Sequence, residues 1–206
     1  MSVRVHPTAL IEEGVVLGDG TTVWDNVHIR HGARLGEQCI VGEKTYIAYD
    51  VVIGNRVKLN AFVYVCAGVT LKDGVMVSAG TIFTNDRFPR ATTPDLMALR
   101  PSEPDGHTLR TLVREGATLG AGCRVGPGLV IGRFAMVGMA AVVTRSVPDF
   151  HLALGHPAVS VGCVCRCGHV LLRFARDGDT REEVDCPACG LLYAVRERVV
   201  TELAPP

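Results

Sequence analysis

Four cysteines near the end of the chain have a spacing that suits a metal ion. Cys165 and Cys167 form one pair, Cys186 and Cys189 form another, and segment 168–185 separates the two pairs. Thiolates are common ligands of tetrahedral structural zinc, and a glycine follows each pair, where the backbone must turn around the ion. The pattern predicts one structural zinc ion held by these four side chains.

The residues around these cysteines, 163–206, are predicted to form a small zinc ribbon. So short a segment has too little apolar core to fold without metal, and we expect its segments 170–172 and 191–193 to pair as strands. The first pair is Cys-x-Cys rather than the commoner Cys-x-x-Cys, so Cys163 or His169 could replace one ligand. Disulfide pairing is the alternative to metal.

A second group of reactive and charged side chains lies in TNDRFPRA, residues 84–91. Asn85 and Asp86 offer short polar groups that can orient a substrate. Arg87 and Arg90 carry guanidinium groups, whose planar donors suit sugar or phosphate anions. The alternative is a solvated loop in which Asn and Asp only form a turn.

His28 is a candidate general base, because an unperturbed histidine pKa near about 6.5 suits proton transfer. The next residue, Ile29, belongs to a series of apolar residues that we expect to face inwards. Because neighbouring side chains of a strand face opposite ways, His28 should point outwards to solvent or to a neighbouring subunit. An ordinary surface or interface histidine is the alternative.

The composition narrows the class of protein. The chain has 206 residues, with 21 basic and 21 acidic side chains and a net charge of +0, so no electrostatic footprint for nucleic acid or an anionic membrane is expected. Its start has no apolar run typical of a signal peptide, and no stretch is long enough for a membrane span. We therefore expect a cytoplasmic protein, a setting in which its eight cysteines would stay reduced.

Side chains at six-residue intervals indicate the scaffold. The positions in this series are all aliphatic or Phe, and the residue two places earlier is small or β-branched. A period of six fits neither an amphipathic helix nor one long alternating strand. The series is Ile11, Leu17, Val23, Ile29, Leu35, Val41, Ile47, Ile53, Leu59, Val65, Leu71, Val77, Phe83, Val113, Leu119, Val125, Ile131, Val137 and Val143.

Short strands joined by corners explain this period. Three units closing a triangular coil would stack residues that are 18 apart, with the aliphatic residue and the small residue before it facing inwards. We expect glycine, Asn and Asp at the corners, where positive φ costs them little. We expect Cys39, Cys66 and Cys123 to be packing residues. A β-sandwich with accidental periodicity is the alternative.

The series stops after Phe83 and resumes at Val113, so residues of about 84–111 are predicted to leave the coil as one long loop. Long loops on rigid scaffolds often carry function. The predicted organisation is a β-helix over 1–162, interrupted by this excursion, and the zinc ribbon over 163–206.

Five sequence segments resemble the hexapeptide-repeat acyltransferases with a left-handed parallel β-helix, and in particular the bacterial nucleotide-sugar 3-N-acetyltransferases. The resemblance covers about residues 6–158. The segments are HPTA at 6–9, GTTVW at 20–24, TNDRFPRA at 84–91, VGMAAVVTRSVP at 137–148 and GHPA at 155–158.

The resemblance implies the fold, all-β with left-handed winding, and an activity. That activity is acetyl-CoA-dependent N-acetylation of the 3-amino group of a UDP- or dTDP-linked amino sugar, in a homotrimer with sites between adjacent β-helices. It implies that Asn85 holds the amine, that Asp86 orients the sugar or assists deprotonation, and that Arg87, Arg90 and His28 contact substrate. Its implied CoA contacts are Gly138, Ala140, Arg145 and Pro157, with His156 standing where the family commonly has Asn.

Three other functions remain open from the sequence. Acyl transfer to another amine or a hydroxyl acceptor would need the same scaffold. A non-catalytic β-helix could use the zinc tail to bind a partner. The same fold hosts zinc carbonic anhydrases, for which His151 and His156 have suggestive spacing, but these enzymes need three converging histidines.

Overall fold

Two-residue strands, each followed by a corner, make up most of the chain. The structure is a computed structural model that describes residues 2–102, 104–106, 108–175 and 180–204. These residues form 26 strands and contain no helix, hence no helix that could cross a membrane. The strands of the coil pair in parallel in three sheets, which we call A, B and C, and the strands Ala158–Val164 and Val170–Arg173 extend sheet A with antiparallel pairing.

Sheet A contains β1 Arg4–Val5, β4 Thr22–Val23, β7 Ile40–Val41, β10 Lys58–Leu59, β13 Met76–Val77, β16 Thr118–Leu119, β19 Met136–Val137, β21 His151–Gly155, β22 Ala158–Val164 and β23 Val170–Arg173. Sheet B contains β2 Leu10–Ile11, β5 His28–Ile29, β8 Tyr46–Ile47, β11 Tyr64–Val65, β14 Ile82–Phe83, β17 Arg124–Val125 and β20 Val142–Val143. Sheet C contains β3 Val16–Leu17, β6 Arg34–Leu35, β9 Val52–Ile53, β12 Val69–Leu71, β15 Thr111–Val113 and β18 Val130–Ile131. The tail sheet contains β24 Arg181–Asp185, β25 Leu192–Arg196 and β26 Val199–Glu202.

The register confirms the predicted parallel β-helix of hexapeptide repeats. Val23 pairs with Val41 and Val41 pairs with Leu59, so residues 18 apart lie above one another on successive turns. Each turn visits sheets A, B and C once. We call the corner that follows a sheet A strand the A–B corner, and the one that follows a sheet B strand the B–C corner.

The interior contains the six-residue series, as predicted. Every member from Val23 to Val143 is buried, while Ile11 and Leu17 are half-buried because they belong to the first, most open turn. Burial of an aliphatic side chain stabilises the fold by about 1.5–3 kcal/mol relative to exposure. The stack therefore provides a core without large aromatic side chains.

Small inward residues satisfy their polar atoms within the coil. The Thr21 hydroxyl donates to Gly36 O at 2.8 Å, and the Cys39 thiol donates to Gly54 O at 3.1 Å. The Cys123 thiol likewise donates to Gly138 O at 3.1 Å. Hydroxyls and thiols are tolerated inside because each meets a corner carbonyl of the next turn.

The corners confirm the prediction for glycine, Asn and Asp but also include bulky residues. Positive φ occurs at corner glycines such as Gly32 and at Asp50, as expected, and also at Lys44, Arg56 and Phe62. These side chains extend into solvent, and the Lys44 Nζ lies 5.1 Å from the centre of the Phe62 ring. The register of the coil therefore imposes left-handed backbone even on bulky residues that disfavour it.

A second group of glycines directly follows the inward aliphatic residue, where the backbones of two turns come close together. A Cβ on Gly42 would lie 2.6 Å from the carbonyl carbon of Asn60 on the next turn, and Gly18 is equally confined against Gly36. Their role is to permit close approach of backbone, because their φ is not positive.

The excursion leaves after β14 and returns at β15 without disturbing the register. Leu71 pairs with Ile53 on the turn before it and with Val113 on the turn after it, although the whole excursion lies between Leu71 and Val113 in the sequence. Within the excursion, residues 91–100 form a small hairpin with a bridge between Thr92 and Leu99. Farther along, the Tyr49 hydroxyl donates to Ser102 O at 3.0 Å, so the excursion folds back over the B–C corner.

The tail continues a sheet of the coil, so the two are more closely connected than the sequence indicated. Strand β22 crosses the predicted boundary after residue 162, and β23 extends sheet A by pairing with it. The expected pairing of 170–172 with 191–193 is wrong, because β25 pairs with β24 and β26 instead. The edge of sheet A formed by β22 provides the nearer partner for β23.

Replacing Ile47 by Ala should test the stacked core. Ile47 is fully buried, so the variant should lose about 2–5 kcal/mol of unfolding free energy through lost transfer energy and the cavity left behind. Lys58→Ala, on an exposed outward position of β10, is the control and should change stability by less than about 0.5 kcal/mol. Urea unfolding measures both, and equal small effects would contradict an interior position for Ile47.

Candidate functional site

Asn85 lies at the B–C corner, where the excursion leaves the coil. Phe83, Val125 and Val143 are stacked in register, so Asn85 and Arg145, each two residues beyond its strand, share this corner. They are two strands apart, about 10 Å at the usual strand spacing. Arg145 is exposed.

The hydrogen bonds of Asn85 close both ends of the excursion. Its Nδ2 donates to Ala67 O at 3.1 Å, and its backbone oxygen accepts from Leu109 N at 2.9 Å. This arrangement directs the side-chain amide and leaves Oδ1 as the atom able to accept a hydrogen bond from a ligand. Nearby Cys66 is buried, which raises the pKa of its thiol to about 12, so it remains a neutral packing residue.

Asp86 and Arg87 line a recess of about 280 Å³ with Phe88, Arg100, Gly106 and Leu109. The Asp86 carboxylate accepts from Phe88 N at 2.7 Å, which is the turn anticipated as the alternative to a substrate contact. Arg87 and Arg100 supply positive charge to the same recess.

Arg90 lines an adjoining recess. Its guanidinium donates to the carbonyl of Pro89, and Thr92, Leu96 and Arg100 line the same recess, Arg100 being shared with the recess of Asp86. The structure therefore brings Asp86 and Arg87 together, next to Asn85 in the chain, but places Arg90 towards the tip of the excursion.

A second recess lies farther towards the N-terminus on the same corner. Arg30, His31, Tyr49 and Asp50 line it beneath Ser102 and Pro104 of the excursion. The His31 and Tyr49 rings are stacked with centroids 5.4 Å apart, and the Arg30 guanidinium lies 5.7 Å from the Tyr49 ring centre. The recess thus offers an aromatic surface next to charged groups of both signs.

His28 lies on the outer face of sheet B, three strands before β14 and so about 14 Å from the strand that precedes Asn85. Its Nε2 contacts Glu12 Oε1 at 2.7 Å, and its ring lies edge-on to Tyr46. Within one chain, His28 and Asn85 do not meet.

Glu12 organises this histidine and was missed in the sequence. It accepts from the backbone N–H of His31 at 2.9 Å and lies 2.6 Å from Arg30 Nε. Hydrogen bonding, first from the His31 backbone and then from the His28 side chain, lowers the pKa of Glu12 to about 2. The sequence does contain a signal that could have identified Glu12. It occupies the position equivalent to Arg30 on the preceding turn, so the two side chains stack.

Two predicted CoA contacts lie on the A–B corner, on the opposite side of sheet B from Asn85. A Cβ on Gly138 would lie 2.3 Å from Leu154 Cδ2, so this glycine is closely packed. Ala140 has a φ of 56°. Pro157 follows a cis peptide bond in the turn between β21 and β22. One chain alone does not bring these residues to Asn85.

The four predicted zinc ligands form one cluster. Their sulfur atoms all lie within 4.8 Å of one another, with Cys165 and Cys189 at 3.4 Å and Cys167 and Cys186 at 3.5 Å. Four sulfurs at about 2.3 Å from a zinc ion would be about 3.8 Å apart, whereas a disulfide needs about 2.05 Å. The geometry fits a tetrahedral metal site and does not fit disulfides.

The pKa shifts within the cluster go in both directions. Burial would raise the pKa of Cys186, but the backbone N–H groups of Ala188 and Cys189 and the thiols around it hold it down to about 6. The Leu191 N–H would lower the pKa of Cys189, but hydrogen bonding with the Cys165 thiol, burial and the other thiols together raise it to about 12. His169 Nδ1 lies 3.7 Å from the Cys167 sulfur, outside the cluster. Gly168 and Gly190 have φ of 90° and 73°, the left-handed turns expected after each cysteine pair.

The two histidines considered for a zinc hydratase are not arranged for metal. His151 is buried, and its two ring nitrogens contact Ser160 Oγ at 2.9 Å and Arg198 O at 2.8 Å. His156 is exposed in the β21–β22 turn. Among the described residues, the one potential metal-ligand cluster is formed by the four cysteines.

Residues 14–48 match the family model described as bacterial transferase hexapeptide (six repeats). The matched segment covers turns whose register is now established, and the same repeat continues to Val143. The repeating unit of the coil is therefore a hexapeptide.

This hexapeptide-repeat protein is similar to sugar acetyltransferases. It is 39% identical over 94 residues to the dTDP-3-amino-3,6-dideoxy-alpha-D-galactopyranose 3-N-acetyltransferase of Aneurinibacillus thermoaerophilus, which covers 46% of this chain and 45% of that protein. The chain therefore spans less than half the length of this relative.

Two solved structures share the fold. A GDP-perosamine N-acetyltransferase from Caulobacter crescentus, in complex with CoA and GDP-perosamine, superposes with a TM-score of 0.52 and 26% identity, over 79% of this chain and 57% of that one. The N-acyltransferase AntD from Bacillus cereus, in complex with dTDP and coenzyme A, gives a TM-score of 0.53 at 20% identity, over 80% and 82%. The second similarity concerns the fold alone.

The hexapeptide-repeat protein should lose stability on mild acidification through His151. Burial, aided by the Arg198 charge, lowers the pKa of His151 below 6.5, although the carbonyl of Arg198 opposes this. The unfolded chain then binds the proton more tightly, so stability falls as pH drops from 6.5 towards the lower folded pKa. Thermal unfolding between pH 8 and 5 should show a smaller loss in His151→Gln. His6→Gln, at an exposed position, should match the wild type, and an unchanged profile in His151→Gln would contradict the assignment.

Proposed function

We propose that the chain is an acetyl-CoA-dependent N-acetyltransferase acting on the 3-amino group of a UDP- or dTDP-linked amino sugar. The observation that carries the proposal is the setting of Asn85, whose Nδ2 is committed to Ala67 O so that Oδ1 can accept from an amine. Similarity to a dTDP-amino-sugar 3-N-acetyltransferase and to a fold relative with bound CoA and nucleotide sugar supports it.

The reaction needs alignment more than a protein nucleophile. The neutral amine attacks the thioester carbonyl carbon, the new C–N bond forms, and the C–S bond breaks. The CoA thiolate that leaves then takes the proton lost by the nitrogen. Asn85 Oδ1 would hold the amine towards the carbonyl, and alignment of this kind can contribute up to about 7–11 kcal/mol to lowering the barrier.

The remainder of the substrate would extend along the B–C corner. Arg87 and Arg100 line the recess that begins at Asp86, where a sugar diphosphate would find guanidinium partners. The recess of Arg30, His31 and Tyr49 lies on the same corner, two to three turns away or about 10–14 Å, the scale of a nucleoside diphosphate. We assign the nucleoside end of the substrate to that recess.

A homotrimer would complete the site. Asn85 and the predicted CoA contacts Gly138 and Ala140 occupy corners on the two sides of sheet B. If three copies turn sheet B towards a common axis, the B–C corner of one copy meets the A–B corner of the next, which brings amine and thioester together. The outer face of sheet B suits this contact, since Tyr46 and Tyr64 are stacked there and Leu10 is 55% exposed.

The four-cysteine cluster would hold one structural zinc ion. The sulfur separations and the turns at Gly168 and Gly190 fit four cysteine ligands around one ion. Zinc there would bind thiolates and stabilise the tail, and no step of acetyl transfer involves it. A cytoplasmic location would keep these thiols reduced.

Asn85→Ala should lower turnover about 10²-fold or more, because the amine loses the group that aligns it. Release of CoA thiol from acetyl-CoA, measured with a panel of UDP- and dTDP-linked amino sugars, provides the readout. Gln38→Gly, at a φ of 57° on the corner between sheets C and A and so away from sheet B, is the control and should retain activity.

The same assay separates the alternatives. Turnover with other amines or with hydroxyl acceptors, but with no 3-amino sugar, would assign the chain a different acyl acceptor. An absence of thiol release with every acceptor would point to a non-catalytic scaffold, and full activity of Asn85→Ala would remove Asn85 from the site.

Elemental analysis should find about one zinc per chain, as a Cys₄ site holds one ion. Cys189→Ser removes an exposed ligand and should lower the zinc content at least tenfold, whereas Cys39→Ala, a buried cysteine of the coil, should retain full zinc. Equal zinc content in both variants would contradict the ligand assignment.

A further inference from the structure

The zinc tail and the predicted CoA end of the coil share one strand. Strand β22 starts at Ala158, directly after Pro157, and ends at Val164, directly before the first metal ligand, Cys165. A displacement of Cys165 would therefore be transmitted along a seven-residue strand to the turn that carries Pro157.

Strand β22 is held on both sides within sheet A. It pairs with β21 through contacts that extend from His151–Cys163 to Gly155–Ala158, and with β23 on the other side. At its end, Val164 N donates to Phe150 O at 2.8 Å. Packing is close, because a Cβ on Gly162 would lie 2.3 Å from Leu172 O.

The metal end of this strand is anchored to the last turns of the coil. The Cys165 sulfur lies 3.1 Å from the Tyr193 hydroxyl, which also accepts from Arg166 N at 3.1 Å. Tyr193 packs edge-on against Phe150 at 5.7 Å between ring centroids. The cluster is thus packed against the coil and does not hang free as a separate appendage.

An ion-paired carboxylate completes the anchor. Glu202 of β26, with a side chain only 6% exposed, pairs with Arg166 next to the cluster and with Arg133 of the coil at 2.9 Å. The two cations hold the pKa of Glu202 below its ordinary value, the Arg166 hydrogen bond being the largest cause. Removing one of these arginines would leave the buried carboxylate partly unpaired, which lowers the free energy of unfolding.

The other end of the hairpin touches the predicted CoA segment directly. Leu154 of β21 lies over Gly138, where a Cβ would come within 2.3 Å of its Cδ2 atom. Ala153 O also accepts from Gly138 N at 2.9 Å. The position of the β21–β22 hairpin therefore sets the surface around Gly138.

We propose that metal bound by the four cysteines positions the β21–β22 hairpin for CoA binding. The tail is then a positioning element of the cofactor end, acting through Cys165, strand β22 and Leu154. This inference rests on the acetyl-CoA part of the proposed function and goes beyond it, since it gives the metal-binding tail a role in CoA binding.

The test compares zinc-loaded protein with protein stripped by a chelator under reducing conditions. Isothermal titration with CoA should give at least tenfold weaker binding to the stripped protein. Hydrogen exchange should show lost protection in residues 151–164, with unchanged protection around Ile47 in the middle of the coil. Equal CoA affinity in both forms, or a protein that takes up no zinc, would overturn the proposal.

Three variants distinguish loss of hairpin positioning from a general loss of folding. Cys189→Ser should behave as stripped protein, and Cys189→His, which restores a zinc ligand, should recover both zinc and CoA affinity. Glu202→Gln should retain zinc but weaken CoA binding, because the anchor to Arg133 is lost. Failure of the histidine variant to recover CoA affinity while it holds zinc would count against positioning.

CoA binding and hydrogen exchange together distinguish a failure of the proposed function from a failure of the positioning role. If neither form binds CoA, acetyl transfer is the part that fails, and hydrogen exchange alone decides the role of the tail. Unchanged protection of residues 151–164 on zinc removal would then overturn the positioning of the hairpin.

Discussion

The vertical stacking of equivalent residues on successive turns is the constraint from which the rest of this molecule follows. Each turn donates its backbone N–H groups to the carbonyls of the next, as in Trp24 to Val41 and Gly42 to Leu59. Each inward aliphatic side chain then contacts its equivalent above and below. Because every turn must repeat the same path, the corners have little freedom, and Lys44, Arg56 and Phe62 adopt positive φ in positions where their side chains offer no local advantage.

The candidate site uses this rigidity. The coil itself has narrow, closely packed corners, and the recesses of the candidate site lie where the excursion leaves the coil and folds back over it. Asn85 ties the departure of the excursion to Ala67 and its return to Leu109, and a carboxylate from the first turn, Glu12, orders Arg30 and His31 farther along. The B–C corner therefore brings together polar groups that are far apart in sequence but lie on turns stacked at regular intervals.

Much of this could be read from the sequence because the period is so simple. The six-residue series predicted the buried positions, the place of the excursion and the stacking of every third repeat, and the cysteine spacing predicted which four sulfurs would converge. The corner residues were harder, since local preference for Asn or Gly is overridden at Lys44 and Phe62 by the path of the coil. The strand partners of the tail were also missed, because β23 adds to an open edge of sheet A that exists only once the coil has formed. The position of Gly138 opposite Asn85 across sheet B likewise required knowing which corner each residue occupies.

The way in which the excursion is inserted has an evolutionary implication. It leaves the end of a sheet B strand and returns at the start of the next sheet C strand, with Leu71 paired to Val113 as though nothing intervened. The length and content of the intervening segment are thus uncoupled from the stability of the framework. A lineage could exchange this insert for another of different composition, and so acquire new chemistry, while the prism that supports it stays unaltered.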